Sequence, residues 1–163
     1  MNMDTLIKKI VLSAIFLLIY IFVGAQNNLN VETIFQEHGK QKGAIFIELA
    51  KDVLSDHTQI NRYKSLILPS DTGVVNATIN AIQKDLKNGK ILMENKRDGK
   101  IETGYYCLKR QDSMDYEYIL FTDKSLKMTL IYLKGAFPPN QLENELNKLK
   151  DLFIKVNNKR IKL

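Results

Sequence analysis

The sequence predicts an α+β domain in which an antiparallel sheet of about five to six strands packs against about two to three helices. Four short strand candidates follow one another between residues 90 and 137, separated only by turn-like segments, as in consecutive hairpins. Apolar residues recur at three- and four-residue spacing in the segments 70–90 and 138–156, which indicates amphipathic helices. The predicted order is α-β-β-α-β-β-β-β-α.

Three helices are predicted from caps and apolar stripes. The first begins near Asn30, whose side chain can cap the first turn. The second follows Ser70 or Asp71, either of which can be the cap. The last begins at Pro138 and Pro139 and is predicted to continue to residue 156, with a basic tail after it. Its apolar stripe consists of Leu142, Leu146, Leu149, Phe153 and Val156.

The strands are predicted from apolar and alternating runs. The first, "GAIFIELA" at residues 43–50, is apolar at odd and even positions, which predicts a central strand or one covered on both faces. The second, "INRYKSLILPS" at residues 60–70, ends at Pro69. The four later candidates are "KILMENK", "IETGYYCLKR", "YEYILFT" and "LKMTLIYLKGAF".

The beginning of the chain has the pattern of a secretory signal peptide. Lys8 and Lys9 precede the apolar run 10–23, and small residues follow it. These are the basic region, the apolar region and the cleavage site of such a signal, with cleavage between Ala25 and Gln26. We therefore predict a signal peptide over residues 1–25, a single α+β domain over residues 26–163, and export to the periplasm or the medium.

Two alternatives remain for this apolar run. An uncleaved signal would anchor the protein in the inner membrane, although the run is shorter than the roughly 20 residues that a spanning helix needs. A buried core helix would need apolar surroundings on every side. If the signal is cleaved, no stable membrane span is expected. A lipid anchor would need a Cys just after the run, whereas the one Cys of the chain is Cys107.

Composition narrows the expected partners. The net charge of +6 is modest, and the chain has no Trp to combine with basic residues in a single-strand binding surface. Export would also separate the protein from nucleic acid. We therefore expect no nucleic-acid partner, no cofactor, and an unidentified envelope protein or polysaccharide as the partner.

Several stretches together resemble a known kind of protein. They are the signal ending in "GAQ", then "VETIFQEHGKQKGAIFIELAKDVL", "RYKSLILPS" and "YEYILFTDKSLKMTLIYLKGAF". This combination resembles the small exported proteins of unknown function found in Gram-negative gut-type bacteria, over nearly the whole chain after the signal. The resemblance implies export and an α+β fold. It carries over no catalytic residue.

The polar candidates for catalysis are few. Asp52, Asp56 and His57 cluster in one predicted turn, and Cys107 lies in a predicted strand. A hydrolase acting on envelope material would need these side chains to converge in one pocket, together with Glu48 or another acid. The ordinary explanation is a solvated polar turn and a small buried thiol. A single Cys also excludes a disulfide within the chain.

Tyrosines are concentrated in the predicted meander. Tyr105, Tyr116, Tyr118 and Tyr132 are candidates for a binding surface, because tyrosines on one sheet face can stack against a sugar or a flat ligand. Tyrosine is also a common half-buried strand residue, which is the ordinary explanation.

One short motif indicates a modification. Asp112, Ser113 and Met114 match a bacterial O-glycosylation pattern of Asp, then Ser or Thr, then an apolar residue. The motif lies in a predicted hairpin loop, where an enzyme could reach Ser113.

These observations favour a binding or structural module of the cell envelope without catalytic activity. The alternative is the envelope hydrolase that uses Asp52, Asp56, His57 or Cys107. The two differ in whether those side chains meet in one pocket.

Overall fold

The computed structural model describes residues 29–54, 58–87, 89–108, 114–150, 153–156 and 159–162. The predicted signal peptide over residues 1–25 and its cleavage site at Ala25 and Gln26 lie outside the described residues.

The described elements follow the predicted order. The helices are α1 (Asn30–His38), α2 (Thr72–Asp85) and α3 (Leu142–Lys150), and a 3-10 turn at Pro139–Gln141 precedes α3. The strands of the main sheet are β1 (Ile45–Ala50), β2 (Ile60–Pro69), β3 (Lys90–Arg97), β4 (Lys100–Leu108), β5 (Tyr116–Lys124) and β6 (Lys127–Gly135). Two short strands, β7 (Phe153–Val156) and β8 (Lys159–Lys162), follow α3.

The six-stranded sheet has the spatial order β1-β2-β6-β5-β4-β3, and all neighbouring strands are antiparallel. The segment containing α2 carries the chain from β2 to the far edge at β3, and the meander then returns until β6 pairs with β2. Asp98 and Gly99 join β3 to β4 with positive φ angles of 52° and 75°, as a two-residue hairpin turn requires. The predicted α+β fold class is confirmed.

Both faces of the sheet are covered, each by different helices. On the first, here called the helix face, α1 and α2 pack through Val31, Phe35 and Ile82 against strand residues such as Phe121 and Leu130. On the second, here called the cleft face, α3 packs through Leu142 and Leu149 against a core that includes Tyr118, Leu120 and Leu133. Alternation along the strands supplies each face with its own apolar set.

Helix capping is partly as predicted. Asp71 caps α2, because its Oδ1 accepts hydrogen bonds from the backbone N–H groups of Gly73 and Val74 at 2.9 and 3.3 Å. The predicted Asn30 cap of α1 is wrong, since Asn30 is the first helical residue. The Asp85 carboxylate at the end of α2 instead accepts the backbone N–H groups of Asn30 and Val31, at 2.7 and 2.9 Å. A carboxylate from another helix thus satisfies groups that the local sequence leaves unpaired.

The prediction that the first strand is central or covered on both faces is wrong. β1 is an edge strand, and Ile45 and Phe46 are 55% and 38% exposed. The residue pattern could not show this, because it does not reveal that the returning strand β6 pairs with β2 and not with the free side of β1.

The predicted extension of the last helix to residue 156 is also wrong. α3 ends at Lys150, and β7 and β8 pair as a two-stranded antiparallel unit where the helix end and a basic tail were predicted. Phe, Ile and Val in "FIKV" favour a strand, and only two residues, Asn157 and Asn158, separate this strand from β8. A two-residue connection is typical of a hairpin.

Candidate functional site

An irregularity in the edge strand β3 determines which of its side chains line the site. Ile91 pairs with Tyr106 and Met93 pairs with Tyr105, so Leu92 is an extra residue between two successive pairs. This is a β-bulge, which re-aims side chains and interrupts the period of two. As a result Leu92 and Met93, although adjacent in sequence, both line the cleft face, whereas Ile91 pairs with a residue of the helix face.

A cleft of about 630 Å³ lies between the sheet and α3, here called the α3 cleft. Its floor and open edge consist of Tyr63, Leu92, Met93, Tyr105, Leu120 and Ile131. Its wall consists of Pro139, Leu142, Glu143, Leu146, Asn147 and Leu149. The volume lies within the roughly 300–1,000 Å³ range of small-molecule sites, and an apolar lining with a few polar groups is typical of them.

A buried carboxylate fixes the position of α3 over the sheet. Glu145 is fully buried, and its Oε2 accepts hydrogen bonds from the Thr58 hydroxyl and the Gln59 backbone N–H, both at 2.9 Å. Its Oε1 accepts a hydrogen bond from Lys148 Nζ at 2.6 Å. Burial opposes ionisation of Glu145, but these hydrogen bonds outweigh it and hold the pKa of the carboxyl below its usual range.

Helical periodicity separates this anchor from the cleft. Successive residues of a helix are turned by about 100°. Glu145 therefore lies on one flank of the apolar stripe of α3, while Glu143 and Asn147 lie on the other flank, where they line the cleft. One side of α3 is consequently tied to the segment before β2, and the other forms the exposed rim of the cleft.

The connection from β6 to α3 is also held in place. The Tyr118 hydroxyl donates a 2.6 Å hydrogen bond to the Phe137 carbonyl, and the two rings stack with centroids 5.0 Å apart. Both side chains are fully buried. Burial raises the pKa of Tyr118, so its hydroxyl stays protonated and remains a donor at neutral pH.

The predicted tyrosine surface is divided between the two faces. Tyr105 is half-buried in the floor of the cleft. Tyr116 is 41% exposed and stacks on the buried Tyr118, on the same face but outside the cleft lining. Tyr132 is buried on the helix face, since it pairs with Ile119. Among the four predicted tyrosines, Tyr105 alone lines the α3 cleft.

Other residues of the cleft were missed from the sequence. Tyr63 contributes a half-buried ring to the floor, and burial raises the pKa of its hydroxyl although a hydrogen bond with Ser65 opposes this. Leu92 and Met93 form the open edge. A usable signal was present, because three successive apolar residues at 91–93 break the alternation expected of an exposed strand.

The candidate catalytic residues within the described part of the chain do not converge. Asp52 is exposed in the turn after β1, and Cys107 is buried in β4. Three strands separate β1 from β4, which corresponds to about 19 Å at the usual spacing between strands. Burial raises the pKa of the Cys107 thiol, which disfavours the nucleophilic thiolate. Asp56, His57 and the glycosylation candidate Ser113 lie outside the described residues.

Glu48, the acid suggested as their partner, belongs to an ion-pair cluster on the helix face. Lys64 is buried, and its Nζ lies 2.5 Å from Glu32 and 3.4 Å from Glu48. Glu48 also accepts a 2.7 Å hydrogen bond from Arg62. Burial opposes ionisation of Glu48, but Arg62 and Lys64 outweigh it and lower the pKa of the carboxyl. This geometry ties α1 to β1 and β2.

Fold and site together define an α+β domain with an apolar cleft between its sheet and one helix. Residues 18–146 match the model of a family of unknown function, DUF6108, and the chain belongs to that family. The comparison with curated proteins gives no match. None of the helices in the described residues has both the length and the apolar character needed to cross a membrane. Within those residues no group of three or more His, Cys, Asp or Glu side chains could hold a metal ion.

Proposed function

We propose that this protein is an exported, non-catalytic binding module of the cell envelope, and that the α3 cleft is its ligand site. The observation that carries the proposal is the cleft itself, a volume of about 630 Å³ whose lining is largely apolar. Such a cavity is the default binding site of a protein that has one. The basic residues, apolar run and small residues before Gln26 support export.

The chemistry of the lining supports binding rather than turnover. The described lining residues include no Ser, Thr, Cys, His or Lys that could act as a nucleophile or base of the usual kinds. Glu143 is the acidic member, and it is exposed at the rim. The hydrolase alternative has no comparable support, because Asp52 and Cys107 lie apart.

The proposal is tested with a neutral, polarity-sensitive dye such as Nile red. The protein is isolated in the form in which it accumulates in cells, and the dye is then added. A dye that enters the cleft gains fluorescence. Met93→Glu is expected to weaken dye binding by about tenfold or more, because it places a charge in an apolar lining.

The matched control is Ile91→Glu. Ile91 and Met93 lie on the same exposed edge strand, but Ile91 is outside the cleft. The control is expected to bind the dye like the unmodified protein. Equal binding by all three proteins, or equal loss in both variants, would show that the α3 cleft is not the site.

A further inference from the structure

The lining of the α3 cleft is suited to a flexible chain rather than a ring. Apart from two tyrosine rings, its apolar side chains are aliphatic or thioether groups, among them Leu92, Met93, Leu120 and Leu146. Such side chains adapt to an irregular apolar partner, and Met does so most readily. Each methylene group that leaves water for this surface adds to the binding free energy, so a longer chain is held more tightly.

The aromatic groups are all on one side of the cleft. Tyr63 and Tyr105 lie in the sheet floor, and none of the described residues of the α3 wall is aromatic. A sugar or planar ring is held best when an aromatic face meets it and polar groups surround its edge. This cleft has aromatic groups only in its floor, and half of the described wall residues are leucines, which disfavours a polysaccharide at this position.

The charge at the rim limits which kind of polar end the ligand can carry. Glu143 is exposed on α3, one turn before Asn147, and the described lining residues contain no Lys or Arg. A carboxylate or phosphate held there would meet a like charge, and none of the described lining residues could supply a compensating cation. An uncharged group with hydroxyls can instead donate hydrogen bonds to the Glu143 carboxylate.

From these features we infer that the α3 cleft binds one long aliphatic chain that carries an uncharged polar end, such as a monoacylglycerol. This inference rests on the proposed function, since it names the ligand class of the same cleft. The apolar chain lies between the sheet floor and α3, and the polar end lies at the rim beside Glu143.

An extended peptide is a poorer match to the same region. A peptide that adds to a sheet needs a regular row of backbone groups along the edge strand. The bulge at Leu92 interrupts β3 next to the cleft, and bulges at sheet edges discourage further pairing. Leu92 and Met93, the exposed apolar residues of β3 on the cleft face, therefore serve the cleft better than they serve a strand partner.

The test is displacement of bound Nile red by three competitors below their aggregation concentrations. These are monopalmitoylglycerol, palmitate with the same chain, and glycerol as the polar end alone. Monopalmitoylglycerol is expected to displace the dye, palmitate to require about fivefold more, and glycerol to have no effect. Glu143→Gln is expected to strengthen palmitate severalfold and not to strengthen monopalmitoylglycerol, so that the difference in affinity between the two competitors narrows.

The outcomes separate this inference from the proposed function. If Met93→Glu abolishes dye binding but neither chain displaces the dye, the cleft is a binding site and the ligand class is wrong. If palmitate competes as well as monopalmitoylglycerol, with no response to Glu143→Gln, the uncharged end is wrong. If the protein sediments as a dimer and neither chain displaces the dye, a second copy of the protein would be indicated as the occupant of the cleft. Absence of cleft-dependent dye binding removes both proposals.

Discussion

At the scale of single residues, Gly104 shows how the position of one side chain can depend on the absence of another. The ring and hydroxyl of Tyr106 lie across Gly104, in the space that a Cβ atom would fill. From there the Tyr106 hydroxyl donates a 3.1 Å hydrogen bond to Glu94 Oε1 and so joins β4 to the edge strand β3. An aromatic ring placed over a strand glycine replaces packing that the glycine lacks.

Gly104→Ala is expected to lower the free energy of unfolding by about 1–3 kcal/mol, because Tyr106 must leave its position and lose its bond to Glu94. Urea denaturation measures the change. The control is Gly73→Ala in the first turn of α2, where a Cβ meets only the Asp71 carboxylate, at 3.1 Å. Alanine is the better helix former, so this control is not expected to lose stability. Equal stability of Gly104→Ala and the unmodified protein would contradict the role given to Tyr106.

The types of residue in the strands were easier to predict than the face of the sheet on which each side chain lies. The tyrosines of the meander were identified from the sequence, but Tyr118 became a buried donor to Phe137 and Tyr132 joined the opposite core. A one-residue change of register moves every side chain to the other face. Hydrophobicity alone could not assign the faces here, because apolar residues cover both sides of the central strands.

At the scale of elements, α3 is the most consequential unit, since it covers the cleft face and is anchored through Glu145. The stability that this carboxylate contributes depends on pH in a definite direction. Its pKa is lower in the folded protein than in the unfolded chain. The contribution is therefore complete above the unfolded pKa, about 4.3, and is lost as the pH falls through the folded pKa.

Glu145→Gln is expected to lower the free energy of unfolding at pH 7 by about 1.5–3 kcal/mol, the usual worth of hydrogen bonds to a charged group. The difference from the unmodified protein is expected to shrink as the pH falls below about 4. Urea denaturation across pH 3–8 measures both effects. Glu143→Gln is the control, because this exposed residue of the same helix should change stability by less than about 0.5 kcal/mol. A difference that stays constant with pH would contradict the anchoring role.

The elements that the sequence predicted well are those with a local signal. α2 has its Asp71 cap and an apolar stripe, and the β3–β4 turn has Asp98 and Gly99. The elements that were mispredicted depend on distant partners. β1 lies at an edge because the returning β6 pairs with β2 and not with β1, and Asp85 rather than Asn30 supplies the cap of α1.

At the scale of the whole molecule, the cleft is a product of topology. The segment containing α2 carries the chain to the far edge of the sheet, the meander returns, and α3 then closes on the face that α1 and α2 leave open. The order of elements was predicted from the sequence, but the spatial order of the strands was not. The cleft itself therefore had no counterpart in the prediction, apart from Tyr105.

The intact mass of the native protein tests export. We expect a species that begins at Gln26 in the soluble envelope fraction, because the small residues before this position match a cleavage site. Additional mass of one or more sugars would identify Ser113 as the first residue to examine. The control is a chain with Val23→Arg and Ala25→Arg, which should retain the segment because bulky charged side chains block such a site. A full-length species in the inner-membrane fraction would instead indicate an uncleaved anchor.

The buried thiol of Cys107 can report how often the core around it opens. The thiol is 8% exposed in β4, and it belongs to the same core as α3. A thiol reagent can modify it only when the surrounding strands and α3 separate, so the rate of modification reports how often that core opens. A molecule bound in the α3 cleft would keep α3 in place and slow this reaction. The modification rate of this one buried thiol thus offers a way to detect the natural ligand before its chemical identity is known.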